Sequence, residues 1–324
     1  MKAAVIREAG GPEVLRIEER PIPQPKAGEL LVEVKAFGLN RSEMFTRQGH
    51  SPNVKFPRVL GIEATGIIVG APGNGERYPI GSKVATCMGG MGRDFDGGYA
   101  THLIVPASQC QIIHTSLPWS IIGALPEMMQ TAYGSLKTTL RIQKGDRLLI
   151  RGGTTSVGLA AVGLAKKMGA SFIASTSRRA DREQLVKEAG ADAFILDDGE
   201  IVKKIKEEEK FDKVLELVGV VTMDDSLACA KQGGIVCITG IVGNKWTLDN
   251  WNPMEHIPVG VCLSVYGGWT PAWLSTPIQQ MLEQVEAGTL KVNIGRTFSF
   301  DQIVEAHRCM DSDEAGGKIV VLTE

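Results

Sequence analysis

Residues 147–179, RLLIRGGTTSVGLAAVGLAKKMGASFIASTSRR, constrain this chain more than any other stretch. An apolar strand (Leu148, Leu149, Ile150) runs into a turn rich in glycine and hydroxyls. A helix follows, with Val157, Ala160, Ala161, Leu164, Ala165 and Met168 at helical spacing. A second strand then ends in Ser175, Thr176, Ser177, Arg178 and Arg179. Such a unit holds a dinucleotide: the turn and the helix N-terminus offer backbone N–H groups to the pyrophosphate, and the end of the second strand meets the adenosine ribose. An acidic residue there would accept hydrogen bonds from a free ribose 2′-OH. Hydroxyls and arginines suit a 2′-phosphate, because a guanidinium makes bidentate charge-assisted bonds to phosphate. The implied cofactor is NADP(H), with Ser177 and Arg178 as the 2′-phosphate residues.

The turn departs from the Gly-x-Gly-x-x-Gly fingerprint. It reads Gly153-Thr154-Thr155-Ser156-Val157-Gly158, with Thr155 where the second glycine belongs. A β-branched residue disfavours positive φ, so the turn is expected to follow ordinary backbone geometry. The hydroxyls of Thr154, Thr155 and Ser156 are expected to face the phosphates. Ser156, Val157 and Gly158 are expected to present their N–H groups.

Composition narrows the class. In 324 residues, 43% are apolar and 22% charged, enough to bury a sizeable core, and the net charge of −2 argues against nucleic acid as the main partner. The basic residues of 203–210 interleave with acidic ones and read as a wet helix face. The chain lacks an apolar run of the ~18–20 residues that a membrane span needs. The start, MKAAVIREAGG, reads as a first strand rather than a leader. Six scattered cysteines without a C-x-x-C pair need no disulfide framework, and the expected location is cytoplasmic.

The texture changes near Pro118. Before it, Lys2–Ile6, Leu15–Glu18, Glu29–Phe37, Gly61–Val69, Lys83–Thr86 and Gly98–Val105 read as strands with no βα alternation. After it, strands and helices alternate. Strands at Arg147–Arg151, Ser171–Thr176, Ala193–Leu196, Phe211–Val218, Gly234–Thr239 and Val259–Tyr266 are joined by helices that include Glu200–Glu209 and Met223–Lys231. Six such strands with right-handed crossovers predict an α/β fold with a doubly wound parallel sheet. The remainder is too short to fold alone and is expected to return to the first domain. The expected division is 1–118 with 268–324, and 119–267.

The segments VEVKAFGLNRSEMFTRQG (32–49), VLGIEATGIIVG (59–70), GGYATHLIVP (97–106), ALPEMMQTAYGSL (124–136), the turn and helix 150–169, FDKVLELVG (211–219) and GGKIVVL (316–322) recur in that order over nearly the whole chain. By them the chain resembles the medium-chain dehydrogenase/reductase superfamily, in its zinc-independent quinone oxidoreductase-like branch. The resemblance implies a GroES-like N-terminal catalytic domain, a Rossmann NADP(H)-binding domain and a homodimer formed through the sixth Rossmann strand, Val259–Tyr266. Zinc-dependent members carry a Cys where this chain has Asn40-Arg41-Ser42-Glu43, and a His where it has Ile62. No metal site is therefore expected, since catalytic zinc needs about three protein ligands.

The implied activity is hydride transfer from NADPH to an acceptor already electrophilic, a quinone or an α,β-unsaturated carbonyl. An enoyl-thioester reductase is the enzyme alternative, and an NADPH-binding sensor or structural protein is the alternative of another class. The resemblance assigns Asn40, Glu43 and Tyr133 to the catalytic pocket. It assigns Thr131, Gly153, Thr155, Ser156, Val157, Gly158, Thr176, Ser177, Arg178, Thr239, Gly240, Ile241, Tyr266, Gly267 and Lys318 to the cofactor.

Overall fold

The computed structural model describes residues 1–324. Two compact units divide the chain, Met1–Gln130 with Gly268–Glu324, and Thr131–Gly267. The second boundary coincides with the expected 267/268. The first falls at 130/131 rather than 118/119, inside the helix Leu125–Gly134.

In the first unit the strands are β1 (Lys2–Ile6), β2 (Arg16–Glu19), β3 (Glu29–Gly38), β4 (Arg58–Val59), β5 (Glu63–Gly70), β6 (Lys83–Cys87), β7 (His102–Pro106) and β8 (Cys110–Ile112). The ten residues of β3, ELLVEVKAFG, form its axis. Antiparallel partners β5, β7 and a late strand of the chain lie along it, so it reads as a nearly continuous apolar run rather than a strict alternation. A helix, Arg41–Arg47, follows β3 directly, an element that the strand-rich reading of the first third did not include. Its buried face (Met44, Phe45) is too short a repeat to stand out from the sequence.

The second unit contains β9 (Arg147–Arg151), β10 (Phe172–Ser177), β11 (Ala193–Leu196), β12 (Phe211–Glu216), β13 (Ala230–Ile238) and β14 (Cys262–Val265). They form one parallel sheet in the order β11-β10-β9-β12-β13-β14, the 3-2-1-4-5-6 order of a doubly wound fold. Leu148, Leu149 and Ile150 of the central β9 are fully buried, each contributing roughly 1.5–3 kcal/mol of hydrophobic stabilisation. The helix Ser156–Lys167 covers one face with Ala160, Ala161, Val162, Leu164 and Ala165. Small residues there let helix and sheet approach closely.

Two expected helices differ. Residues 200–209 form only the short 3-10 turns Ile201–Lys204 and Glu207–Glu209. Lysines 203, 204 and 206 and three consecutive glutamates repel along any helix face, and the Ile201 and Val202 N–H groups bond instead to Asp225 at 2.9 and 3.2 Å. The helix at Met223 ends at Ala228, because Ala230 already pairs with Phe211 as the start of β13. The chain closes with β15 (Ile294–Ser299), the helix Ile303–Asp311 and β16 (Lys318–Leu322) in the first unit, where β16 pairs with β3.

Candidate functional site

Asn40 ends the connection from β3 and sits at the N-cap of the Arg41–Arg47 helix, yet its side chain makes no cap bond. It enters a buried polar cluster instead. Its amide nitrogen donates to Glu63 Oε1 at 3.0 Å and to Glu43 Oε1 at 3.3 Å, while its carbonyl oxygen accepts from Lys318 Nζ. Lys318 Nζ lies 2.7 Å from Glu63 Oε1 and 3.6 Å from Glu127 Oε2. The other Glu63 oxygen accepts from the Glu127 backbone N–H at 2.8 Å. Gly38 makes room for this cluster: a Cβ there would lie 2.2 Å from Lys318 Cε and 2.5 Å from Glu63 Oε1.

The charges in the cluster are unequal. Burial disfavours the Lys318 ammonium, but Glu63 and Glu127 outweigh it and hold its pKa above the ordinary lysine range. Glu43, 1% exposed, is pushed up to about 8, chiefly by burial, with Glu63 adding repulsion against the Ile62 N–H and Lys318. Its Oε1 accepts from the Ile62 N–H at 3.1 Å, and its Oε2 is buried without a partner. Burial thus favours the protonated form of Glu43 at neutral pH. Expected as a residue facing the acceptor, Asn40 has both ends of its amide engaged internally. Expected at the cofactor, Lys318 is buried in this same cluster of the first unit.

A cavity of about 370 Å³ in the first unit borders Ile62, whose backbone holds Glu43. Val54, Met88 and Met91 add apolar wall, and Arg93 and Asp94 form a charged lip. Nothing in periodicity marked this cavity. The available signal was the glycine-dense run CMGGMGRDFDGG at 87–98 with its adjacent opposite charges.

The dinucleotide turn of the second unit is built as its spacing implies, with one redistribution of roles. Thr155 takes φ −70°, ψ 158° and is the N-cap of Ser156–Lys167. Its Oγ1 accepts from the Gly158 N–H at 3.0 Å and donates to the Gly152 carbonyl at 2.9 Å. The Thr155 hydroxyl and the Gly158 N–H, both expected at the pyrophosphate, are thus bonded to the turn itself. Ser156 and Val157 keep N–H groups that no intrahelical carbonyl can reach. The positive φ falls on Gly152 (79°), one residue before the fingerprint, so the turn is not wholly ordinary in geometry. Gly153 and Gly158 must be glycine: Cβ atoms would meet Ser175 Oγ at 1.8 Å and the Gly152 carbonyl at 2.8 Å.

At the end of β10 all three hydroxyl residues are buried. Ser175 and Thr176 are fully buried. Thr176 Oγ1 accepts from the Gly152 N–H at 3.2 Å and donates to Asp197 at 3.4 Å, so its hydroxyl supports the turn rather than facing outward. Ser177 is buried at the end of the strand, its Oγ accepting from the Arg179 N–H at 3.2 Å, while Arg178 is exposed and Arg179 is paired with Asp181. Beneath them Arg151, last in β9 and fully buried, bonds both oxygens of Asp197 at 2.8 Å and Asp225 at 2.6 Å. One guanidinium therefore ties together the C-terminal ends of the sheet, and the sequence did not mark it.

Thr239 Oγ1 lies 2.9 Å from Ser135 Oγ, and Ser135 Oγ donates to the Thr131 carbonyl at 2.7 Å. Gly240 crosses the Leu217 carbonyl so closely that a Cβ would lie 2.3 Å away, and Ile241 is half-buried beside it. Tyr266 is buried, with its hydroxyl against Gly134, and Gly267 is exposed. Tyr133 is half-buried on Leu125–Gly134. Asn40, Glu43 and Lys318 thus form one group in the first unit, and Tyr133 belongs to the second with the turn residues.

A 3-2-1-4-5-6 sheet with a glycine turn at its first crossover, and a separate β unit completed by the chain's last residues, define a two-domain dehydrogenase/reductase. The family described as Alcohol dehydrogenase GroES-like domain matches residues 26–115, and Zinc-binding dehydrogenase matches residues 189–321. The chain is 30% identical to a Quinone oxidoreductase of Salmonella typhimurium over 97% of both chains. It is 24% identical to a 2-haloacrylate reductase of a Burkholderia species and 24% identical to an Acryloyl-coenzyme A reductase of Sulfurisphaera tokodaii, over 99% of each chain. The solved structure of AibC superposes with a TM-score of 0.86 at 27% identity, covering 99% of this chain and 95% of that one. That of Escherichia coli quinone oxidoreductase complexed with NADPH gives 0.88 at 22% identity, covering 99% and 100%, a likeness of fold. The chain belongs to the medium-chain dehydrogenase/reductase superfamily, in its quinone oxidoreductase-like branch, and is an oxidoreductase.

Proposed function

We propose that the protein reduces electrophilic small molecules, quinones or α,β-unsaturated carbonyl compounds, with NADPH and without zinc. The observation that carries the metal-free reading is the Lys318–Glu63 pair at 2.7 Å, beside a buried Glu43 whose protonated form burial favours. Zinc ligation requires deprotonated donors and an open position. Here one carboxylate already neutralises a buried ammonium, Glu43 holds a proton, and Ile62 offers no donor. A dication beside Lys318 would meet a like charge in a dry site. Acceptors that need no Lewis acid fit these residues.

NADPH fits the second unit: Ser156 and Val157 offer N–H groups at a helix N-terminus, and Ser177 and Arg178 supply donors for a 2′-phosphate. When bound, it supplies a hydride, which with one proton saturates the acceptor and leaves NADP⁺. The chain's part is to orient the acceptor, exclude water and hold the proton. Glu43 keeps a proton on its carboxyl behind the Ile62 wall of the cavity, and Tyr133 is the second candidate donor. Reduction of an enoyl thioester is the second reading, favoured by the full-length similarity to a relative named as an acryloyl-coenzyme A reductase.

Homodimerisation through β14 belongs to the same reading. The strand is an edge of its sheet, with Val265 70% exposed and Val259, three residues before the strand, 88% exposed, the kind of edge that pairing covers. Sedimentation would show a monomer if this is wrong. No helix is long and apolar enough to cross a membrane.

Absorbance at 340 nm, followed with NADPH and a panel of quinones, short enones and enoyl-CoAs, tests the activity. Turnover of at least one class is expected. Tight NADPH binding with no turnover would replace the enzyme reading with that of an NADPH-binding protein, and stoichiometric zinc essential for turnover would overturn the metal-free one.

A further inference from the structure

Resting on the reductase reading, we propose that Arg93 selects the acceptor by binding a carboxylate that it carries, so that the preferred electrophiles are unsaturated carbonyl compounds bearing an acid. Arg93 stands at the lip of the cavity whose walls are Ile62, Met88 and Met91. Its guanidinium is anchored on one side only, where Nη2 donates to Ser42 Oγ on the helix that carries Glu43. It forms no ion pair. Nearby Arg41 and Arg58 each have a carboxylate partner, Asp313 and Asp96. A guanidinium oriented by one bond, with its remaining N–H groups open to a cavity, is prepared for a planar anion.

The loop that carries Arg93 is built rather than loose. Met88, Gly89, Gly90 and Gly92 have φ of 65°, 62°, 88° and 74°. Met88 is a side-chain-bearing residue in the left-handed region, a strain that persists only where surrounding bonds impose it. Those bonds are present. The Met88 N–H donates to the Ile62 carbonyl at 2.8 Å, and Gln109 Nε2 donates to the Met88 carbonyl at 2.6 Å. The Arg93 and Asp94 N–H groups both donate to the Gly90 carbonyl, at 3.0 and 2.7 Å. Arg93 is thereby held before any ligand arrives, which lowers the entropic cost of binding.

Asp94 borders the same cavity with the opposite charge, its Oδ2 2.5 Å from where a Gly90 Cβ would stand. It too forms no ion pair. An anionic acceptor is drawn to the Arg93–Ser42 side and repelled from the Asp94 side, so the pair fixes one orientation for an acid. The relative named as a 2-haloacrylate reductase takes an unsaturated acid, in keeping with the anionic choice.

The test uses a matched pair of enones, 4-oxopent-2-enoate and its methyl ester, which differ by one charge. The readout is the ratio of kcat/KM for the acid to that for the ester. Arg93→Ala is expected to lower this ratio on the order of tenfold, Arg93→Lys less, and Asp94→Asn to raise it. An unchanged ratio in Arg93→Ala, or a fall in Asp94→Asn, overturns the assignment. Binding of the saturated acid 4-oxopentanoate, measured by titration calorimetry, decides independently of turnover. If the wild type reduces no acceptor but binds this acid about tenfold more tightly than Arg93→Ala, the reductase reading fails and the anion site stands. Equal binding by both proteins rejects the anion site.

Discussion

Replacing Glu43 by Gln tests the central electrostatic claim about this protein. Gln keeps a carbonyl oxygen to accept from the Ile62 N–H and removes the titration. In the folded chain the Glu43 pKa stands at about 8 against an ordinary 4.5, and burial is the leading cause. Above pH 4.5 the unfolded chain releases this proton while the folded chain retains it. Stability must therefore fall as pH rises from 4.5 to about 8, and level off above that. The interval between those values, at about 1.36 kcal/mol per unit, amounts to roughly 5 kcal/mol. The assay is urea unfolding of wild type and Glu43→Gln at half-unit steps from pH 5 to 8.5. Relative to the wild type, the variant is expected to gain stability steadily with pH, by a few kcal/mol in all. Two curves that run parallel across this window would show that Glu43 is ionised in the folded protein and would refute the description of the cluster.

Three further outcomes are expected. Lys318→Met leaves buried Glu63 without its cation and should cost about 3–5 kcal/mol of unfolding free energy; a loss under about 1 kcal/mol would mean that the ion pair is not as described. Thr155→Ala removes the cap on Gly158 and should lower stability by about 1 kcal/mol, measured by thermal or urea unfolding, whereas a hydroxyl directed at phosphate would leave the unliganded protein unaffected. Arg178→Ala should raise KM for NADPH at least about tenfold more than KM for NADH, because only the former carries the 2′-phosphate, and equal effects would remove Arg178 from that site.

Much of the second unit was legible because its signals are local. The turn at 152–158 needs glycine where carbonyls and Ser175 crowd it, and those positions carry glycine. The strand β9 is apolar because neighbours cover both its faces. Other residues were legible as participants but not in their roles. Thr155 has a hydroxyl in the right place for a phosphate, yet the nearer Gly158 N–H takes it. Thr176 is buried because β10 is an interior strand between β9 and β11, and its hydroxyl takes the Gly152 N–H. Glu200–Glu209 read as a helix by composition alone, and like charges together with the Asp225 carboxylate drew it into short turns.

What the sequence by itself determined is the class: a glycine-rich turn of dinucleotide type and six strands alternating with helices, after a strand-rich first third. These follow from backbone preferences and periodicity, which act over a few residues. The tertiary structure decided the chemistry. Lys318 reaches Asn40 across 278 positions because β16 pairs with β3, and Gly38 leaves space for its side chain. That pairing brings an ammonium to Glu63, while burial favours the proton on Glu43 against the pull of Lys318. Charge and solvation depend on what surrounds a group in space, and chain neighbours carry no record of it.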